Sequence, residues 1–194
     1  MIAMAMDAKE FKTGYTYDDY MSWDEDVRCE IIDGAVYMMA PPKTVHQELL
    51  GGIYAHFHSF LKSKPCKVYP APFGVRLNSK KKNNTVVEPD ITIVCDESKI
   101  DKDGCNGAPD LIAEILSPSN KRHDTLLKFN LYMEAGVREY WIVDPEEKTV
   151  AVYILDNGRY VSNAYGDTDR IAVHVLPGCE IDMKEIFIPE ESEE

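Results

Sequence analysis

Two carboxylates occupy positions where an apolar strand should not carry charge. In Glu88-Pro-Asp-Ile-Thr-Ile-Val94, strand alternation places Asp90 with Thr92 and Val94 on one face and Ile91 with Ile93 on the other. In Asp110-Leu-Ile-Ala-Glu-Ile-Leu116 the same alternation sets Glu114 beside Ile112 and Leu116. An ionised carboxylate inside such a strand is costly unless a cation or hydrogen-bond donors answer it. If the two strands pair, Asp90 and Glu114 converge. Converging carboxylates suit Mg²⁺, a hard cation that takes one or two protein oxygens and completes its shell with water and substrate phosphate. A cation so held activates water and stabilises the charge that develops on a phosphate during hydrolysis, and a neighbouring Lys would help with both. The plainer alternative for the same pattern is a turn residue and an edge-strand surface residue.

The elements that must position this pair can be read from the chain. Thr16 is placed to cap a short helix whose first turn carries Asp18 and Asp19. Arg28–Asp33 and Ala35–Ala40 flank Asp33-Gly34, a hairpin signal because the turn needs positive φ. After Pro41-Pro42, Val45, Leu49, Ile53, Phe57 and Leu61 recur at helical spacing to about Lys64, and Gly51-Gly52 in their midst suggests a close approach to a sheet. Extended segments follow at Cys66–Pro70, Phe73–Leu77 and Val86–Cys95, then a loop over Asp96–Ala108 and an apolar strand over Pro109–Ser117. Ser117-Pro-Ser-Asn supplies capping residues for a second helix, His123–Ala135, which Gly136 ends from the C′ position. Val137–Val143 is apolar enough for burial on both faces. Thr149–Leu155 turns through Asp156-Asn-Gly158 into Arg159–Asn163, followed by Ile171–Val175 and Asp182–Ile188. This order predicts one α/β or α+β domain with a mixed sheet and few helices.

At 194 residues, 44% hydrophobic, the chain suits a single core, with residues 17–187 as the ordered body and residues 1–15 and 189–194 as flexible ends. A net charge of −13 excludes a uniformly basic nucleic-acid-binding surface. The acids cluster, however, at Asp18, Asp19, Asp24, Glu25 and Asp26 and in the terminal Glu190, Glu191, Glu193 and Glu194. Leu49 to Val87 holds no acid but carries Lys62, Lys64, Lys67, Arg76 and Lys80–Lys82, which hints at an anionic partner. Cys29, Cys66, Cys95, Cys105 and Cys179 are odd in number and scattered, and read as reduced thiols with neither a disulfide framework nor a zinc site. No stretch is long and apolar enough to span a membrane, and the Met1–Met6 run is too short for a secretory signal. A cytoplasmic protein without membrane contact is expected.

Glu30-Ile-Ile-Asp-Gly-Ala-Val-Tyr-Met-Met-Ala-Pro-Pro, His46-Gln47, Glu88-Pro-Asp-Ile, Pro109-Asp-Leu-Ile-Ala-Glu-Ile-Leu-Ser-Pro-Ser and Lys128…Tyr132…Ala-Gly-Val-Arg-Glu-Tyr-Trp-Ile-Val-Asp144 occur in that order. Together they resemble the Uma-two family, described as restriction endonucleases and placed in the PD-(D/E)XK nuclease superfamily. The resemblance covers about Tyr17 to Phe187. It implies a restriction-endonuclease-like mixed β-sheet flanked by helices, with an N-terminal hairpin and extra C-terminal antiparallel strands. It also implies a homodimer and a Mg²⁺-dependent endonuclease, with Mn²⁺ as substitute cation, cutting DNA by metal-activated water. Asp90 matches the acid of the first half-motif and Glu114 that of the second. The position two after Glu114, where the motif places Lys, is Leu116. Lys128, on the following helix, is the candidate replacement, its alternative being an exposed helix Lys. Tyr132 shares its helix face and either orients it or packs.

Further candidates are Glu30, as another metal or water-bridging ligand or a surface strand acid beside Arg28, and His46 and Gln47 at the start of the long helix, with Glu48 in a similar position. His56 and His58 read as packing or surface residues, and Tyr54, Tyr69, Phe73 and Trp141 as core. Lys80, Lys81, Lys82, Lys121 and Arg122 are the candidate phosphate contacts. Two other functions fit the same residues. One is a nuclease-fold protein without chemistry that binds nucleic acid or a protein partner, which Leu116 favours. The other is a partner-binding protein using the acidic segment near residues 16–26.

Overall fold

The computed structural model describes residues 14–24, 27–78, 81–117 and 123–187, with side chains described from residue 126 in the last segment. Helix α1 (Tyr17–Tyr20) is capped as expected: Thr16 Oγ1 and the Asp19 carboxylate exchange bonds with each other's backbone N–H. Strands β1 (Cys29–Ile32) and β2 (Ala35–Met38) form the hairpin, with Asp33 and Gly34 both at positive φ. Helix α2 (Thr44–Leu61) follows, then β3 (Lys67–Pro70), β4 (Val75–Arg76), β5 (Val86–Val87), β6 (Ile91–Val94), β7 (Ile100–Asp101), β8 (Gly104–Asn106) and β9 (Leu111–Ile115). Helix α3 (His123–Ala135) precedes β10 (Glu139–Asp144), β11 (Thr149–Asp156), β12 (Arg159–Gly166), β13 (Arg170–Ala172) and β14 (Glu180–Asp182).

Two six-stranded mixed sheets result. The first runs β2-β1-β5-β4-β8-β7 and the second β12-β11-β10-β9-β6-β3, while β13 and β14 pair separately. The second sheet is the central layer. On one face Ile91, Ile93, Leu111, Ala113, Ile115, Trp141 and Val143 pack with Leu49, Ile53, Phe57 and Leu61 of α2 and with the segment around Ile181–Phe187. On the other, Val94, Ile112, Tyr140 and Ile142 meet Ile32, Val75 and Val87 of the first sheet and Tyr132 of α3. Fully burying each such Leu, Ile or Phe contributes about 1.5–3 kcal/mol.

Several expectations need correction. Val86–Cys95 is not one strand: Glu88-Pro89-Asp90 interrupts it, because Pro89 has no N–H to continue a ladder, and its halves join different sheets. The loop over residues 96–108 contains the small β7–β8 hairpin. Val45 is exposed, and His46 takes the buried position in the first turn of α2. Gly51 meets nothing and Gly52 faces the Ile186 side chain, so the pair does not serve a close helix–sheet approach. The last strand ends at Asp182, whose carboxylate accepts the Lys184 N–H and starts a 3₁₀ turn. Cys66 and Cys95 form a disulfide rather than two thiols. They lie one position beyond the Lys67↔Val94 pair of the antiparallel β3–β6 ladder, a juxtaposition that their separation of 29 residues conceals. Cys29, Cys105 and Cys179 are free and buried, and burial pushes each thiol up to about 11. Among the described residues no helix is long and apolar enough to cross a membrane.

Candidate functional site

Pairing of β6 with β9 builds the site. The register Ile91↔Ala113, extended by one position, sets Asp90 opposite Glu114. Alternation against Ile91 and Ala113 turns both carboxylates toward the face covered by the first sheet and α3. Asp90 accepts the Ile115 N–H (2.7 Å) on Oδ2, and the same oxygen lies 3.1 Å from Nε2 of His46. Burial pulls the His46 imidazolium down, but the hydrogen bond to Asp90 and the charges of Asp90 and Glu114 outweigh it and hold the group above its ordinary value. Its Nδ1 is buried without a partner among the described residues.

Glu114 is answered from α3. Lys128 Nζ and Tyr132 Oη donate to its Oε1 at 2.9 and 2.6 Å. One helical turn separates the two donors, so they share a face. The helix stops soon after Tyr132 in a Schellman arrangement, with the Gly136 N–H on the Met133 carbonyl and the Val137 N–H on that of Tyr132. Lys128 also donates to Oε1 of Glu30 at 2.9 Å, and that oxygen accepts the Glu88 N–H as well. Burial raises Glu114, with Asp90 and Glu30 adding to the rise against Lys128 and Tyr132, and carries it up to about 7. For Lys128 the cost of burial is overcome by Glu114 and Glu30, which keep the ammonium charged.

Glu30, Asp90, Glu114 and Lys128 line a cleft of about 440 Å³. His46 and Gln47 also line it from α2, Arg28 from just before β1, and Leu116 and Ser117 from just after β9. Glu48 is exposed, and it is not among the residues lining the cleft. Glu30 is buried and paired with Lys128 rather than lying on the surface beside Arg28. Arg28 instead reaches Glu88 at 3.5 Å, and Tyr20 Oη donates to the other Glu88 oxygen at 2.6 Å. The sequence assigns no role to Glu88 or Tyr20, and offers Arg28 only as a surface neighbour of Glu30. The one available signal was Glu88 itself, an acid beside Pro89 and two residues before Asp90.

Of the candidate phosphate contacts, the two that are described, Lys81 and Lys82, do not line this cleft. Lys81 and Lys82 are exposed in the loop before β5, and Lys80, Lys121 and Arg122 lie outside the described residues. In the acid-free stretch, Arg76 is paired with Asp101 and rests on the Tyr17 ring, and Lys67 pairs with Glu97.

No cluster of three or more His, Cys, Asp or Glu side chains among the described residues is arranged to hold a metal ion. The donor set nevertheless suits Mg²⁺, which needs only one or two carboxylates beside water. Asp90 Oδ1 and Glu114 Oε2 accept none of the hydrogen bonds within the described residues that occupy their sister oxygens.

A mixed sheet with flanking helices and paired strand carboxylates at its cleft is a nuclease-like α+β architecture. A crystal structure from Anabaena variabilis, described as a "putative nuclease belonging to DUF820", shares it with a TM-score of 0.73 at 20% identity, covering 89% of this chain and 97% of that one. The chain belongs to the Uma2 family, described as "Putative restriction endonuclease", whose sequence pattern matches residues 17–184. An uncharacterized protein of Synechocystis sp. is 25% identical over 158 residues, 79% of this chain and 82% of its own.

Proposed function

We propose that the chain is a Mg²⁺-dependent endonuclease that hydrolyses phosphodiester bonds of DNA. One observation carries the reading: Asp90 and Glu114 sit opposite each other in the cleft, each, among the described residues, with one oxygen engaged and one not, and with the Lys128 ammonium on Glu114. Asp90 and Glu114 would hold the cation, which when bound supplies Lewis-acid stabilisation of phosphate charge and a more acidic water. His46 and the Ile115 N–H fix the Asp90 carboxylate, and Tyr132 fixes that of Glu114, so neither must reorganise when ligand arrives. Lys128 has three N–H donors, of which Glu30 and Glu114 take two. The third is available to a phosphate oxygen, and Lys128 thereby takes the part of the Lys that Leu116 displaces. Purified protein with Mg²⁺ or Mn²⁺ should cut supercoiled, linear or single-stranded DNA. Asp90→Ala and Glu114→Ala should each lower cutting by about 10²-fold or more while circular dichroism stays unchanged. Absence of cleavage on all three substrates would overturn the reading.

Leu116 on the cleft wall, and an ammonium already shared by two carboxylates, support a second reading in which the site binds nucleic acid without chemistry. Calorimetry with Mn²⁺ separates the two, since that reading expects no cation binding at Asp90 and Glu114.

A further inference from the structure

We infer that Tyr69, backed by Phe73, is a stacking platform for an unpaired base beside the phosphate held at Asp90 and Glu114, so that the protein takes single-stranded rather than duplex DNA. The inference rests on the nuclease reading above. Strand β3 ends in Tyr69-Pro70, and the chain continues through Ala71 and Pro72 to Phe73. The two rings lie face to face, with centroids 4.1 Å apart and planes 4° from parallel. Phe73 packs against the core that holds Val75, Val87 and Ile112, whereas Tyr69 belongs to neither core and remains partly exposed. Phe73 therefore anchors the pair, and Tyr69 carries its outer face.

The β3–β6 ladder joins this platform to the site. Tyr69 pairs with Thr92, which shares a sheet face with Asp90, so the ring stands diagonal to that carboxylate. Diagonal side chains on paired strands lie about 7–8 Å apart, the reach from a phosphate to the base beside it. Ala71, between the two rings in the chain, donates its N–H to the Asp90 carbonyl at 3.0 Å, and Ala71 and Pro72 both line the cleft. Inside a duplex each base already has a neighbour on both faces. Only a base outside the helix can lie on Tyr69, and extruding one from a duplex costs stacking and pairing energy. Charge points the same way. Among the described residues lining the cleft, Arg28 and Lys128 are the only Lys or Arg, and Lys128 is already shared by two carboxylates. A duplex carries a charge for every ~1.7 Å of its axis, twice the density of one strand, toward a chain at −13. Stacking supplies affinity that so few cations cannot.

Fluorescence anisotropy with Ca²⁺ in place of Mg²⁺ tests the inference on three probes of equal length: a single strand, the same strand annealed to its complement, and an abasic sugar-phosphate strand. Wild type should bind the base-bearing single strand about 5- to 150-fold more tightly than the abasic one, and more tightly than the duplex. Tyr69→Leu should erase the preference for bases and Tyr69→Phe should keep it; the three probes on wild type decide the matter even if the leucine variant fails to fold. Equal affinity for the base-bearing and abasic strands, a duplex bound as tightly as the single strand, or a folded Tyr69→Leu with the wild-type preference would overturn the proposal. The same strands with Mg²⁺ report on cleavage separately: a strand left uncut while the preference for bases persists overturns the nuclease reading and supports the platform.

Discussion

Glu114, with 14% of its side chain exposed, and the fully buried Glu139 are carboxylates on adjacent parallel strands, β9 and β10, and they make opposite uses of their enclosure. Glu139 is fully enclosed, with Trp141 Nε1 on one oxygen and the Val175 N–H on the other, both at 2.8 Å. Its donors are neutral and both oxygens are used, so the residue ties β10 to the C-terminal segment. Glu114 concentrates Lys128 and Tyr132 on one oxygen, stands across from Asp90, and borders a cleft. Burial alone therefore does not mark a site. What separates the two is incomplete use of the carboxylate, together with like charge held nearby.

The contrast is most severely tested by exchanging the losses. Glu114→Ala should lower cleavage by about 10²–10³-fold, the scale on which removal of a preorganised electrostatic contact acts. Lys128→Met should also impair cleavage and, by stranding two buried carboxylates, cost about 3–5 kcal/mol of stability that is partly regained as pH falls. Urea titrations at two pH values measure that recovery. Glu139→Ala should leave cleavage per folded molecule unchanged while orphaning two donors, at about 1–3 kcal/mol each in the same titration.

Acidity gives a finer test. With Glu114 raised to about 7, its proton competes with a cation, so cleavage should climb as pH rises to 7, by up to about tenfold per unit. Without divalent ions, the folded state binds more protons than the unfolded chain between the ordinary value of 4.5 and about 7. The stability Glu114 contributes is thus present below that window and lost across it, and wild type should weaken relative to Glu114→Gln from pH 5 to pH 8. The smallest effect belongs to the exposed loop: Lys81→Ala and Lys82→Ala should each reduce the salt slope of DNA binding by about one at most.

Much of this arrangement is legible in the sequence. Alternation identified Asp90 and Glu114 because an acid amid Ile and Leu breaks a period-two pattern, and Gly136 marked the end of α3 to the residue. The spacing of Lys128 and Tyr132 placed them on one helix face, although only three-dimensional packing assigns Tyr132 to Glu114 rather than to Lys128. What stayed hidden depends on long-range register. Cys66 meets Cys95 only through the β3–β6 ladder, and Glu139 resembles any polar residue at the head of an apolar strand until Val175 arrives from elsewhere in the fold. Pro89 was in plain view, yet a two-residue strand such as β5 carries too little periodicity to reveal that the chain changes sheets there.

That change of sheets has a mechanical consequence. Glu30 belongs to the first sheet and Glu114 to the second, and the Lys128 ammonium joins them like a pin through two plates. Any cation that draws on Glu114 takes hold of the charge that keeps this pin seated, so occupancy of the cleft and the fit between the plates cannot vary independently.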